Sequence, residues 1–571
     1  MRHTGLITAT LLIGSSFHIA LAAPLAESRA TLAAEPEVPL RLVVVLVVDQ
    51  LRGDVLHRFR GVLGPDGLRR LSEGGVWFRN AYYEHSHTVT GPGHATIGTG
   101  ARPSGHGIPA NEWFDRTSGA KVNCVGDGDS PIIGTAGETG NASPVNLTAT
   151  TFADQWVIAS GGRARSVGIS GKDRGAILPV GKTGKAFWFS TQSGRMVSST
   201  YFFKELPDWA AAFDKAKPAD QYFKKSWERA TSDDDGVPTG VDDRPFEKDI
   251  NGMKRTFPHP LGKDLKEPES KFYEQIFASI YGDKIVMDFA LEALRSMELG
   301  TKDILDILSI SLSSNDSVGH NFGPDSVEAK ELAHGLDQQV ARLLKALDTS
   351  VGAGKYLVVF SADHGVAFPP EALAARGYPA SRYDSGDMLK RINRRLNFSI
   401  RYLEWSLGFA GPGYFFDPDA LKYGGKSPAE LEDTVAEVIR KTTGIAEAFT
   451  RSDLLSGHLP DTELARRVRA GFHPTRSPDV YVVPNAYALD GTGTASHGTP
   501  YADDSHVPLI FYGAGLGPVE VFRPVDITSI APTLTSILGV SFPSACVGKP
   551  LEEVSNAIKL HPTLTSRLKR I

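Results

Sequence analysis

Leu40 to Val48 is a nearly continuous aliphatic run, rich in β-branched residues and closed by Asp49. A run with so little polar alternation predicts a central parallel strand covered on both faces. Similar short runs predict strands at Arg165 to Ile169, Ile304 to Leu312 and Lys355 to Phe360, the last ending just before Asp363. Ser477 to Val483 and Val507 to Tyr512 are further strand candidates. Between these runs the apolar spacing becomes helical. Lys284 to Met297 carries Ile285, Phe289, Leu291 and Leu294 near that spacing, and Glu328 to Leu347 carries Leu332, Leu336, Val340, Leu343 and Leu344. Thr150 to Ala159 and Asp526 to Leu538 are two more helical patterns. Strands alternating with helices predict an α/β fold with a doubly wound, mostly parallel central sheet flanked by helices.

Two stretches break the rhythm. Residues 204–270 are rich in Lys, Asp, Pro and Gly, and residues 366–476 hold Pro369-Pro370 and the Arg-rich piece Lys390 to Arg395. Unstructured loops of this length are uncommon inside compact domains, so both are expected to be insertions with structure of their own, capping the strand ends. At the amino terminus Arg2 and His3 precede the mostly apolar Leu6 to Leu21, and Ala20-Leu21-Ala22 is a small-x-small cleavage pattern. That reads as a secretory signal over 1–22, a flexible lead-in over 23–38 and one α/β domain over 39–571. The protein is expected to be periplasmic or secreted, with no stable membrane insertion after cleavage. With 61 basic and 66 acidic residues the net charge is -5, so there is no basic excess to hold nucleic acid. An oxidising compartment would permit a disulfide between Cys124 and Cys546, though two unpaired thiols fit equally well. Neither lies near the chemistry-bearing motifs in sequence, and no motif sets an oligomeric state.

Those motifs are Asp49-Gln, Thr90-Gly-Pro-Gly-His94, Asp316-Ser-Val-Gly-His320, Asp363-His364-Gly and Ser-His497-Gly. In an open α/β sheet ligands gather at the carboxyl ends of the strands, and Asp49, Asp316 and Asp363-His364 each follow a predicted strand. Three carboxylates brought together without cations would raise one another's pKa. Divalent ions remove that cost, and mixed Asp and His donors suit zinc. Asp316 and His320 share a face if their segment is helical. Thr90 precedes a short predicted helix, Ala95 to Thr99, and a hydroxyl near a helix N-terminus meets a field that favours an anionic phosphoryl group. Contact with a metal would activate so weak a nucleophile. The other histidines nearby, His85, His87 and His94, are expected to be packed or exposed, and Thr88 and Thr96 to be bystanders.

Taken together, these motifs resemble the alkaline phosphatase superfamily of two-zinc enzymes, and most closely the exported bacterial alkaline phosphatases with a threonine nucleophile. The resemblance covers the motifs and the sheet order and is weak in the two insertions. It implies two Zn2+ ions, one held by Asp49, Thr90, Asp363 and His364 and the other by Asp316, His320 and His497. It further implies that Lys172 and Arg174, in Ser170-Gly-Lys172-Asp-Arg174, and Asn111, in Ala-Asn111-Glu-Trp, contact phosphoryl oxygens. The implied activity is hydrolysis of small phosphate monoesters through a phosphothreonine. A monoester dianion has three non-bridging oxygens, and a guanidinium can bind two of them side by side. A nucleotide pyrophosphatase or phosphodiesterase of the same superfamily is the nearest rival. An exported phosphate- or zinc-binding protein without turnover is the rival from another class, and it would have no need of Thr90.

Overall fold

The computed structural model describes residues 40–399, 404–423 and 425–558. The expected signal and lead-in lie outside the described residues. No helix among the described residues is long and apolar enough to cross a membrane.

An eleven-stranded sheet forms the core. At its centre five parallel strands lie side by side in the order Tyr356–Ser361, Leu42–Val48, Asp306–Leu312, Ser166–Ser170 and Lys185–Ser190. Every residue of Leu42–Val48 and of Asp306–Leu312 is buried; the first is unbroken apolar sequence, and in the second Asp306, Ser309 and Ser311 are buried along with the apolar residues. Helices Ile280–Ser296 and Val327–Leu347 bury their apolar positions against the sheet; Ser279 and Ser326 cap them through Tyr281 N–H and Ala329 N–H.

Register decides where the chemistry collects. Val48 pairs with Leu312, Val47 with Ser361, and Ser311 with Ser170. Four parallel strands therefore end level, and the residues that follow them share one edge. Strand direction supplies the rest. His506–Gly513 runs antiparallel to Tyr356–Ser361, with Leu509 opposite Ser361. Its amino end therefore lies at that same edge, and the chain carrying His497 enters there. Val76–Tyr82 runs antiparallel to His506–Gly513 in turn, so its carboxyl end also delivers the chain to this edge, just before Thr90.

The Ser477 to Val483 prediction is corrected in one respect. The observed strand, Val480–Pro484, belongs to a separate four-stranded antiparallel sheet with Ser406–Ala410, Gly413–Phe416 and Ile445–Thr450. Its apolar composition fits either sheet, so composition alone misplaces it. Helices Ser385–Ser399 and Pro428–Arg440 pack on this sheet around Met388, Ile392, Trp405, Tyr414, Leu431 and Val435. Pro428–Arg440 starts with a reciprocal capping box between Ser427 and Glu430 and has Pro428 in its first turn. The hairpin turn of this sheet reaches the main domain: a Cβ on Gly411 would lie 2.6 Å from Ala110 Cβ. Residues 204–270 instead pack first on helix Ile280–Ser296, where Trp209 and Phe213 meet Phe289, and then beside helix Val327–Leu347. They are held by Arg244 to Asp325 (2.8 Å), Lys330 to Asp235 (3.0 Å) and His259 to Glu328 (3.1 Å).

Candidate functional site

At the shared edge Asp49, Asp316, Asp363, His320, His364 and His497 converge. Asp49 follows the central strand directly and its N–H donates to Leu312 O (2.9 Å). Asp316 and His320 lie one turn apart on helix Ser314–Phe322, with His320 Nε2 3.2 Å from Asp316 Oδ1. His497 Nε2 is 3.5 Å from the same oxygen and 3.2 Å from His320 Nε2. His364 Nε2 lies 3.4 Å from Asp49 Oδ1 and 3.5 Å from Asp363 Oδ2. Two donor groups have the spacing to hold a cation: Asp316, His320 and His497, and Asp49, Asp316 and His364. Asp316 is common to both, so the two positions adjoin. Asp363 stands outside the second trio but borders it through His364.

Hydrogen bonding fixes which ring nitrogen faces inward. His320 Nδ1 lies 3.0 Å from Ala495 O, His364 Nδ1 2.9 Å from Gly365 O, and His497 Nδ1 2.9 Å from Thr88 O. A carbonyl accepts only, so each Nδ1 carries the proton and the three Nε2 atoms turn into the cluster.

The electrostatics call for positive charge. Burial would raise Asp49 and Asp316, but Lys172 overrides it and holds both below the usual carboxylate range. Asp363 goes the other way, pushed up by burial and by Asp49. Burial would push His364 down, yet Asp363 and Asp49 lift it to about 9. Asp49 Oδ1, Asp363 Oδ2 and His364 Nε2 are buried without a hydrogen-bond partner, while Asp49 Oδ2 meets the Lys172 ammonium. Buried, unpaired oxygens and imidazole nitrogens with this spacing fit the donor set of divalent cations.

Thr90 is buried and is the first residue of a ten-residue helix, Thr90–Thr99. The helix thus begins at Thr90 rather than at the predicted Ala95, because Gly91 and Gly93 do not interrupt it. Gly93 is needed for another reason: a Cβ there would lie 2.2 Å from Asp363 O. Asn111 Oδ1 accepts from Gly91 N–H (2.7 Å), which satisfies one open donor at the helix N-terminus and leaves the NH2 of the same amide as its donor end. Lys172 is the N-cap of helix Asp173–Val180, and its ammonium lies 2.6 Å from both Asp49 Oδ2 and Asp316 Oδ2. Arg174, two residues on, feels the fields of Asp173, Cys124, Asp49 and Asp316, which outweigh its burial and raise it. All ten residues singled out in the sequence therefore belong to this edge or to the elements that open onto it.

Other residues matter that the sequence reading passed over, as with Gln50, or set aside, as with His94 and Thr88. His94 is fully buried: Nδ1 is 2.9 Å from Thr90 O and 3.3 Å from Asp363 Oδ2, and Nε2 is 2.8 Å from Ser311 Oγ. Its position four residues after Thr90 was the available signal. Gln50 donates from its backbone to Asp363 Oδ1 (3.0 Å) and from Nε2 to Asp316 Oδ1 (2.8 Å), tying two of the carboxylates together. Thr88 donates to Thr499 O (2.8 Å) and so anchors the loop that carries His497. The two thiols bracket the helix Thr90–Thr99. Cys124 Sγ would be 3.1 Å from a Cβ on Gly91, and Cys546 Sγ 2.8 Å from one on Gly100. Both are free, separated by roughly 13 Å of helix rise, so no disulfide joins them, and Cys124 is closer to the site than its sequence position suggested.

The profile of the family described as type I phosphodiesterase / nucleotide pyrophosphatase matches residues 43–489. Alkaline phosphatase PafA of Elizabethkingia meningoseptica is 34% identical over 90% of this chain and 94% of its own. Alkaline phosphatase PhoV of Synechococcus elongatus is 31% identical over 90% and 92%, and a protein named calcium-transporting ATPase of Myroides odoratus is 32% identical over 92% and 96%. The crystal structure of PafA superposes with a TM-score of 0.84 at 33% identity, covering 91% of this chain and 99% of that one. A PafA variant solved with the same fold has a Thr, an Asn, a Lys and an Arg substituted together. Their order, and their Thr-to-Asn and Lys-to-Arg spacings, are those of Thr90, Asn111, Lys172 and Arg174 here. The chain belongs to the type I phosphodiesterase / nucleotide pyrophosphatase family, within the alkaline phosphatase superfamily and alongside its bacterial alkaline phosphatases.

Proposed function

We propose that this chain is an exported alkaline phosphatase that hydrolyses phosphate monoesters through a phosphothreonine on Thr90. Asp49, Thr90, Asp363 and His364 would hold one divalent cation and Asp316, His320 and His497 a second. Bound there, the two ions, zinc by donor type, would supply Lewis acidity to the Thr90 hydroxyl and to the leaving oxygen. The chain's own groups do the rest. Thr90 Oγ1 attacks phosphorus, the bond from phosphorus to the leaving oxygen breaks, and the phosphoryl group stays on Thr90. Water then attacks phosphorus, which frees phosphate and restores the threonine. His94 holds the Thr90 carbonyl and so fixes the first turn of its helix, whose N-terminal field favours the phosphoryl charge. The NH2 of Asn111 and the cations of Lys172 and Arg174 stabilise the non-bridging oxygens.

One observation carries the choice of substrate. Lys172 brings an ammonium within 2.6 Å of Asp49 and Asp316, and Arg174, two residues on, adds a second, partly buried cation in their field. A monoester dianion uses that charge, whereas a diester, with one negative charge and a second bulky substituent, uses less of it. The names of two relatives agree with this reading, and that of the third, an ATPase, also denotes cleavage of a phosphorus–oxygen bond. The deciding assay compares kcat/KM on an aryl phosphate monoester and the matched diester. A strong preference for the monoester is expected, and a preference for the diester would give the site to the phosphodiesterase reading.

A further inference from the structure

A cavity of about 490 Å3 opens beside the cluster. His320 and His497 belong to both, so a group esterified to a phosphoryl at Thr90 has this space next to it. The volume far exceeds what phosphate alone needs and falls in the range of small-molecule pockets. Phe368, Tyr383, Phe409 and Tyr487 contribute to its wall. Its acidic members are already engaged: Asp503 with Arg52 (2.8 Å) and Asp490 with the Ser385 amide (2.9 Å). Lys248, Asn321, Ser496 and Thr499 add polar groups to the wall, and its aromatic side chains add flat faces, which recognise a ring by its face.

Backbone conformation points to the same place. Two non-glycine residues of the wall, Tyr487 (φ 65°) and His87 (φ 66°), lie in the left-handed region. Bulky side chains pay to sit there, and such residues cluster at ligand clamps. Tyr378 meets the Tyr487 ring edge to face at 5.6 Å and holds it in place.

We propose that this cavity is a leaving-group pocket that selects monoesters of planar aromatic groups, with Tyr487 and Phe409 as stacking faces. The proposal rests on the phosphatase reading and adds a substrate class to it. The test measures kcat/KM of wild type, Tyr487→Ala, Phe409→Ala and Tyr487→Phe on three esters: adenosine 5′-monophosphate, phenyl phosphate and glycerol phosphate. Stacking on an aromatic side chain predicts that the alanine variants lose about tenfold on the ring-bearing esters. Glycerol phosphate should change less than twofold, and Tyr487→Phe should behave as wild type. Loss on the nucleotide alone assigns the pocket to nucleosides, and loss on both ring esters to aryl groups at large. Equal losses on all three esters, or none on the ring esters, would overturn the pocket. Calorimetric titration with adenosine reads the pocket without turnover. Binding to wild type that weakens in Tyr487→Ala supports it, and no binding to wild type overturns it. A protein that binds adenosine yet hydrolyses none of the esters would refute the phosphatase reading and leave the ring site standing.

Discussion

Gly93→Ala tests the placement of the helix Thr90–Thr99 through one methyl group. The added Cβ would lie 2.2 Å from the Asp363 carbonyl oxygen and 2.8 Å from its carbonyl carbon and Cβ. Real Cβ atoms do not come within 3.0 Å of such neighbours, so helix and strand end must part by nearly an ångström. The obstacle is backbone, which cannot rotate aside. Overpacking of this kind costs about 1–3 kcal/mol. Alanine returns roughly 0.5–1 kcal/mol of that, because glycine is the poorer residue inside a helix. The net loss of stability is therefore small, on the order of 1 kcal/mol. The catalytic effect is larger, because the shift separates Thr90 from Asp363 and His364, and a 1 Å misplacement can cost about 100-fold. Steady-state kinetics on an aryl monoester should show kcat/KM down by about two orders of magnitude, with the melting temperature lowered only slightly. Gly128→Ala is the control, since nothing lies within 4 Å of its added Cβ. Wild-type kcat/KM in Gly93→Ala would mean that the helix and Asp363 need not be held in this contact, and the argument would fail.

Thr90→Ala should abolish turnover while elemental analysis still finds two metal equivalents, because six of the seven donors remain; full activity would remove Thr90 from the reaction. Lys172→Ala removes the ammonium shared by Asp49 and Asp316. On the scale of a lost charge-stabilising donor it should lower kcat/KM for the monoester by about 10²–10³ and narrow the monoester-to-diester ratio; a constant ratio would make Lys172 a structural counter-ion only. Asp214 is an acid that burial pushes from 3.8 up to about 7, against the pull of the Met196 amide and Arg195. The folded protein binds that proton more tightly than the unfolded chain, so the contribution is intact below pH 3.8 and is lost as pH rises to about 7. Asp214→Asn removes this loss, and chemical denaturation should find the variant gaining on wild type at pH 8 but not at pH 4.

Much of the architecture was legible because central parallel strands are buried on both faces and cannot hide their composition. Leu42–Val48 and Asp306–Leu312 lie inside the predicted runs, and Tyr356–Ser361 is shifted by a single residue. Direction was not legible. Val507 to Tyr512 read as a strand, but nothing in its residues says that it runs antiparallel, and that reversal is what returns His497 to the edge. The strand Val76–Tyr82 has Arg79 and Asn80 within it and gave no clear run. Residue types with obvious chemistry stood out as a set. Gln50 and His94 did not, because their part is to hold other groups, which becomes visible only when hydrogen-bond partners are known. Cys124 was discounted on sequence distance, which folding erases.

The three imidazoles of the cluster are steered by peptide carbonyls of Ala495, Gly365 and Thr88 rather than by side chains. Every amino acid offers the same carbonyl, so no point mutation at those three positions can delete the acceptor. The tautomers are thus insulated from genetic drift. Selection that retunes the ions this centre accepts has to act on carboxylates, on Lys172, or on the course of the main chain itself.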